Sequence, residues 1–225
     1  MPAELMVLGT AEVHVMPDHA SLRVTVDGEA GTQAAAYAAA AEHAHAVDAV
    51  LEGRAAATGG VMAAAIVVHP KTRWRKGESV RTGWRAERTT IVEVTDLAAL
   101  GALIAELTAA EGAVTGPEWA LDPANPAHEE VRTAAARDAR RRAGAYAAGL
   151  GLRVDAVAWA AEPGLRAQSD GDAHGWSAGG GIEVRAAAAL AGMAGDPDQQ
   201  PIAVSPSEIT LRASVEVGFT FTAAG

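Results

Sequence analysis

The stretch VLGTAEVHVMPDHASLRVTV, residues 7–26, decides the fold, because apolar and polar residues alternate on both sides of a Pro-Asp pair. Small or apolar residues occupy every second position over residues 7–15 and again over residues 20–26. Such alternation predicts two strands that each bury one face. Pro17 has the φ that the second position of a type I turn needs, and Asp18 is a common turn residue, so the two strands are predicted to form a β-hairpin.

The bulk composition sets limits on size and on partners. A chain of 225 residues is long enough for a large core, and we expect a single domain spanning residues 1–225. Hydrophobic residues make up 49% of the chain but aromatic residues only 4%, which predicts helices that pack closely through alanine. The formal net charge of -10 argues against a nucleic-acid partner and against a broad anionic-membrane surface, so any anion site must be local.

The absence of cysteine excludes disulfides, thiolate metal ligands and a cysteine nucleophile. The N-terminal residues show no basic segment followed by a sustained apolar run, so we expect no signal peptide. No window approaches the roughly 20 apolar residues of a membrane-spanning helix. The chain as given is therefore expected to have no membrane span and to be cytoplasmic, or periplasmic or secreted if a leader was removed.

The segment after the hairpin predicts a long helix and a second pair of strands. The helix runs from an N-cap at Thr32 to Gly53 and consists of strong helix formers. The apolar run that ends at Pro70 predicts a strand at Val61–His69, and WRAERTTIVEV predicts its partner at Trp84–Val94. A long polar loop is expected between these two strands.

The next segment predicts two more helices around an edge strand. Thr95 or Asp96 is expected to cap the helix LAALGALIAEL, and AVTGPEWAL predicts a short strand that Pro117 confines to an edge or a bulge. A third helix is expected to start at Asn125 and to place Asp138 on its solvent-facing side. Its predicted buried line consists of Val131, Ala135, Ala139, Ala143 and Leu150.

The C-terminal part predicts two further strands, RVDAVAWAAE and EITLRASVEVGFTF. Between them lies a Gly- and Pro-rich insert at about residues 163–207, which holds 8 of the 24 glycines. We therefore predict an α+β fold in which strand hairpins form an antiparallel or mixed sheet with three main helices packed on it. The expected order is ββαββαβαβ, followed by the insert and a final strand.

Four separated segments, in this order, resemble the SIMPL-domain family and are spread over residues 9–221. They are GTAEVHVMPDHASLRVTV, WRAERTTIVEVTDLAALGALIAEL, EEVRTAAARDARRRAGAYAAGLGLRV and PIAVSPSEITLRASVEVGFTF. The resemblance implies an α+β domain, a tendency toward oligomers, and links to the cell envelope or to oxidative stress. It implies no catalytic residues, because the family has no established active site.

The segment with the most concentrated charged and aromatic residues lies between the two strands of the predicted second pair. Cations interleaved with tryptophans suit a phosphate-bearing or stacked ligand. The alternative is a solvated hairpin tip, whose tryptophans fold back on the strands or meet a neighbouring subunit and whose cations pair with acids. The candidate ligand or subunit contacts are Lys71, Arg73, Trp74, Arg75, Lys76, Arg81, Trp84 and Arg85.

Two catalytic or metal motifs fail on their context. GWSAG around Ser177 fits the G-x-S-x-G nucleophile elbow, but no strand precedes it, no helix follows it, and all seven histidines lie upstream. Asp170, Asp172 and His174 resemble the start of a calcium loop, but its twelfth position is a glycine instead of glutamate.

Two histidines on the first helix are a second candidate metal site. His43 and His45 stand two residues apart, so they point to nearly opposite sides of the helix and cannot hold one metal ion. His43 is expected to be packed and His45 solvated. No catalytic residue, metal site or cofactor is therefore predicted.

Together these observations predict a protein that is not an enzyme and that acts by self-association and binding. We expect a homo-oligomer, with an unidentified protein or an anionic ligand as a further partner. A small-molecule or anion-binding module that uses the basic segment is the first alternative. A serine hydrolase at Ser177 is the second, and the context of that serine argues against it.

Overall fold

The computed structural model describes residues 4–75, 77–165, 183–186 and 204–223, in which three helices pack on antiparallel sheets. The predicted α+β class is thereby confirmed. No helix in these ranges is both long and apolar enough to cross a membrane. The elements are β1 (Glu4–Val15), β2 (His19–Ala30), α1 (Gln33–Gly53), β3 (Thr58–Ala63), β4 (Val67–Arg75), β5 (Glu78–Val94), α2 (Leu100–Ala109), β6 (Ala113–Ala120), α3 (Ala127–Gly149), β7 (Leu152–Ala161), β8 (Glu183–Ala186) and β9 (Ile209–Ala223).

The chain forms two compact units, each with its own sheet. The first unit holds β1, α3, β7, β8 and β9, and the second holds β2 to β6 with α1 and α2. The single domain over residues 1–225 stays a prediction.

The first unit is a sheet in the order β1-β9-β7, with β8 also paired to β9, and α3 packs on β1 and β9. Its core joins bulky residues of the sheet to small residues of the helix. Val7, Val217, Phe219 and Phe221 pack there against Ala139, Ala143 and Ala147. The alanines let α3 approach the sheet closely, as the composition predicted.

The second unit is a sheet in the order β3-β5-β2-β6, with β4 also paired to β5. α1 packs on β2 and β5, and its N-cap is confirmed because the Thr32 hydroxyl accepts a hydrogen bond from the Ala35 N–H at 3.3 Å. β6 is an edge strand, and its register with β2 shifts beside Pro117, also as predicted. The three buried leucines of α2 are Leu100, Leu103 and Leu107.

The prediction that β1 and β2 form a hairpin was wrong, although both strands and their buried faces were predicted correctly. β1 pairs with β9, whereas β2 pairs with β5 on one edge and with β6 on the other. Because both edges of β2 are occupied, β1 has no place beside it. Alternation reports which face of a strand is buried and says nothing about the strand that lies next to it.

The predicted strand pair was too short and its loop was wrong. Val61–His69 is split into β3 and β4 by an interruption at residues 64–66, and both strands lie along the same partner, β5. β5 begins at Glu78 instead of Trp84, so the expected loop is a two-stranded ribbon. Its charged residues have low strand propensity, and the ladder to the neighbouring strand overrides that preference.

Three smaller predictions also change. α2 begins at Leu100 instead of Leu97, since Asp96 accepts a hydrogen bond from the Ala98 N–H and closes a turn there. In α3, Leu150 is 69% exposed and Asp138 is only 3% exposed, the reverse of what was expected. The predicted insert at residues 163–207 contains β8, which the expected element order lacked.

Candidate contact surface

The basic residues lie on a ribbon that extends past the end of the second unit's sheet. The pairing of β2 with β5 stops at Ala30 and Trp84, whereas the pairing of β4 with β5 continues to Arg75 and Glu78. From Trp84 to the tip, the ribbon is therefore two strands wide in the part of the chain that the structure describes. We call residues 70–85 the basic arm.

The charge of the basic arm is opposite to that of the rest of the chain. The arm contains six lysines and arginines and one acid, Glu78, a net charge of +5. The whole chain has a net charge of -10, so the other 209 residues carry -15. A positive arm on a negative protein is attracted to anionic ligands and to a second copy of the same chain.

The two tryptophans of the arm have different environments. Trp84 is half-buried and packs against a cluster that contains Ala36, Ala40 and Ala86. The guanidinium of Arg81 lies 5.3 Å from the centre of the Trp84 ring, within cation–π distance. Trp74 is 72% exposed. Trp84 thus anchors the base of the arm, and Trp74 is more exposed than Val80, the other large apolar side chain that the arm exposes.

Some of the cations are paired with acids of the same unit. Lys71 bonds to Glu29, and this hydrogen bond lowers the pKa of the glutamate. The Nε atom of Arg85 lies 3.5 Å from Asp27. Arg73 is exposed and makes no ion pair within 4.0 Å among the residues described. Arg73 is therefore available to a partner.

The remaining members of the predicted set are less well defined. The side chain of Arg75 and the whole of Lys76 lie outside the described residues. Lys71 and Arg85 pair with acids, as expected for a solvated hairpin tip, while Arg81 lies against the ring of Trp84. The contact role of the eight residues stays a prediction.

A buried charge in the first unit was not predicted from the sequence. The Asp138 carboxylate accepts the Thr10 N–H at 3.0 Å, lies 2.7 Å from the Nε of Arg142, and also pairs with Arg141. The hydrogen bond from Thr10 lowers the pKa of Asp138, and the two arginines lower it further. This cluster fixes α3 to β1. The sequence did indicate that Asp138 faces the core, because it lies seven residues after Val131 and hence on the same helical face.

The other candidate sites gain no support. Asp170, Asp172, His174 and Ser177 lie outside the described residues. His43 is half-buried with its Nδ1 2.9 Å from the Asp27 carbonyl oxygen, and His45 is exposed, as predicted. Within the described part of the chain, no group of three or more histidine or acidic side chains could hold a metal ion.

A model of a known protein family matches the chain. The family model SIMPL, described as a protein of unknown function (DUF541), matches residues 5–219. None of the curated proteins matches the chain. The match includes the elements of both compact units and extends over nearly the whole chain.

Proposed function

The chain belongs to the SIMPL family, whose function is unknown, and from its own surface we propose that it is a non-catalytic protein that self-associates through the basic arm. The carrying observation is Trp74, which is 72% exposed near the tip of a ribbon with a net charge of +5. A large exposed aromatic side chain beside arginine is typical of the residues that dominate protein interfaces.

The charge distribution supports a second copy as the partner. The arm is positive and the other 209 residues carry -15, so the arm of one copy is attracted to the rest of another. Attraction of this kind raises the association rate and weakens as salt is added. Burial of Trp74 would supply the salt-independent part of the contact.

Capture of a small anionic ligand is the second candidate function, and the exposed pair of Arg73 and Trp74 favours it. A guanidinium beside an aromatic face can hold a phosphate that carries a planar group. In that case nucleotides should raise the melting temperature of the protein, whereas self-association should be independent of them.

The test is the absolute mass in solution, measured by size-exclusion chromatography with light scattering over protein and salt concentration. We expect a defined multimer that Trp74→Ala weakens, while Tyr146→Ala, which removes an exposed aromatic residue of α3, leaves it unchanged. A wild-type mass of 22.8 kDa at all concentrations would refute self-association. A multimer that ignores Trp74→Ala would refute the role of the arm.

A further inference from the structure

We propose that two copies pair edge to edge through β3 and β4, antiparallel about a two-fold axis, so that the second unit's sheet continues from one copy into the next. This inference rests on the proposed self-association and names its geometry. It requires an open strand edge, a reason for that edge to be covered, and charges that match when the edge is paired with itself.

The edge is open. β3 and β4 both lie along one side of β5, and no other strand in the described ranges pairs with either of them. Together they present a broken edge from Thr58 to Arg75. An open edge offers unpaired N–H and C=O groups to another strand.

The edge also lacks the charges that usually protect such strands. Residues 55–70 contain no lysine, arginine, aspartate or glutamate, although 20% of the chain is charged. Proteins commonly place lysine or other charges on exposed edges because those side chains prevent pairing with a second chain. Here the charged residues begin only at Lys71, where the arm extends past the sheet.

The apolar side chains of β3 are exposed on both faces, whereas in β4 Val67 is exposed and Val68 packs against the cluster that contains Ala36, Ala40 and Ala86. Met62 is 69% exposed, and Val61 and Val67 are exposed as well. Val61 and Met62 are neighbours in β3, so they point to opposite faces of the sheet. A strand placed alongside would bring its own side chains against both faces, which a helix packed on one face could not do.

The charges match when the edge pairs with itself antiparallel. The Glu93 carboxylate extends across the start of β3. Its Oε2 lies 3.4 Å from the position that a Cβ atom at Gly60 would occupy. Gly60 and Arg73 lie at opposite ends of the edge. Antiparallel pairing therefore brings Arg73 of one copy level with Gly60 and Glu93 of the second copy, and the two-fold axis creates the same contact twice.

The experiment is a charge exchange between Arg73→Glu and Glu93→Arg. Each variant alone would place like charges in both contacts, and we expect the self-association Kd to rise about tenfold. Mixing the two variants restores opposite charges in both contacts, so the mixture should form a heterodimer with the wild-type Kd, detected by native mass spectrometry. Arg132→Glu, which reverses an exposed cation of α3, is the matched control and should behave as wild type.

A second variant tests the pairing without relying on charge. The chain has no cysteine, so Val67→Cys carries a single thiol, close to the proposed two-fold axis. We expect it to form a disulfide-linked dimer on oxidation, whereas Val157→Cys, at an exposed valine of β7, should form no disulfide-linked dimer under the same conditions. A disulfide requires Cα atoms within about 7 Å, so the cross-link reports the pairing itself.

The failures are distinguishable. A monomeric wild-type protein refutes self-association and this geometry together. A wild-type multimer that persists unchanged in both charge variants, with no cross-link through Val67→Cys, refutes the edge and leaves self-association standing.

Discussion

Replacing Gly9 by alanine tests the close contact between β1 and α3. A Cβ atom at Gly9 would lie 2.7 Å from the Cβ and the backbone nitrogen of Ala139, and closer still to the Ala135 carbonyl oxygen. Two of the three nearest atoms belong to the helix backbone, so no side-chain rotation relieves the clash. The helix itself has to move.

The expected cost follows from these distances. Ordinary contacts begin at 3.4 Å, so α3 must retreat by about 1 Å. Overpacking of this kind costs about 1–3 kcal/mol of the free energy of unfolding. We expect the upper half of that range, because the movement also pulls Asp138 away from the Thr10 N–H, to which it bonds at 3.0 Å.

The assay is urea denaturation followed by circular dichroism, with Gly144→Ala as the matched control in α3. Nothing lies within 4 Å of a Cβ at Gly144, and alanine is the better helix former, so this variant should be up to about 1 kcal/mol more stable than wild type. For a chain of this size, Gly9→Ala should melt lower by about 2–4 °C per kcal/mol. A Gly9→Ala protein as stable as Gly144→Ala would refute the close contact.

Two further predictions concern pH and packing. The pKa of Asp138 is lowered in the folded protein, so the ionised carboxylate stabilises the fold above the ordinary pKa of an aspartate. This stabilisation is lost as the pH falls through the pKa of the folded state. Asp138→Asn should therefore reduce the acid dependence of the melting temperature. An equally steep acid profile in that variant would contradict the assignment. Leu103→Ala should cost about 2–5 kcal/mol because Leu103 is fully buried in α2, whereas Leu165→Ala at an exposed position should change stability by less than about 0.5 kcal/mol in urea titrations.

The elements and their buried faces were accessible from the sequence, but the strand neighbours were not. Period-2 alternation found β1 and β2, and helix formers between Thr32 and Gly53 found α1, because these patterns depend on each segment's own burial. Pairing is a property of two segments. The Pro-Asp pair at Pro17 does not join β1 and β2 into a hairpin, since β2 is already paired on both edges.

The candidate site shows the same division. The basic arm was identified from its composition. Its two strands were not predicted, because its charged residues do not show a strand pattern and the ladder depends on β4 and β5 together. Asp138 was placed in solvent on polarity alone. Its spacing from Val131 indicates the buried face, but the hydrogen-bond partner of its carboxylate, Thr10, lies 128 residues away, and a local pattern carries no information about such a partner.

The two units treat the open edges of their sheets differently, and the contrast supports a role for the β3–β4 edge. Among the residues that the structure describes, β1 pairs with a strand on one side only, but it carries Glu4 and Glu12, and the Thr10 N–H is occupied by the Asp138 carboxylate. Both devices discourage addition of another strand. Over residues 55–70 the β3–β4 edge carries no charge, and Val61, Met62 and Val67 are exposed there. At the other edge of the same sheet, β6 contains Pro117, which has no N–H to donate to a ladder. Pairing through the β3–β4 edge alone closes a dimer, whereas pairing through both edges of a sheet would extend without limit.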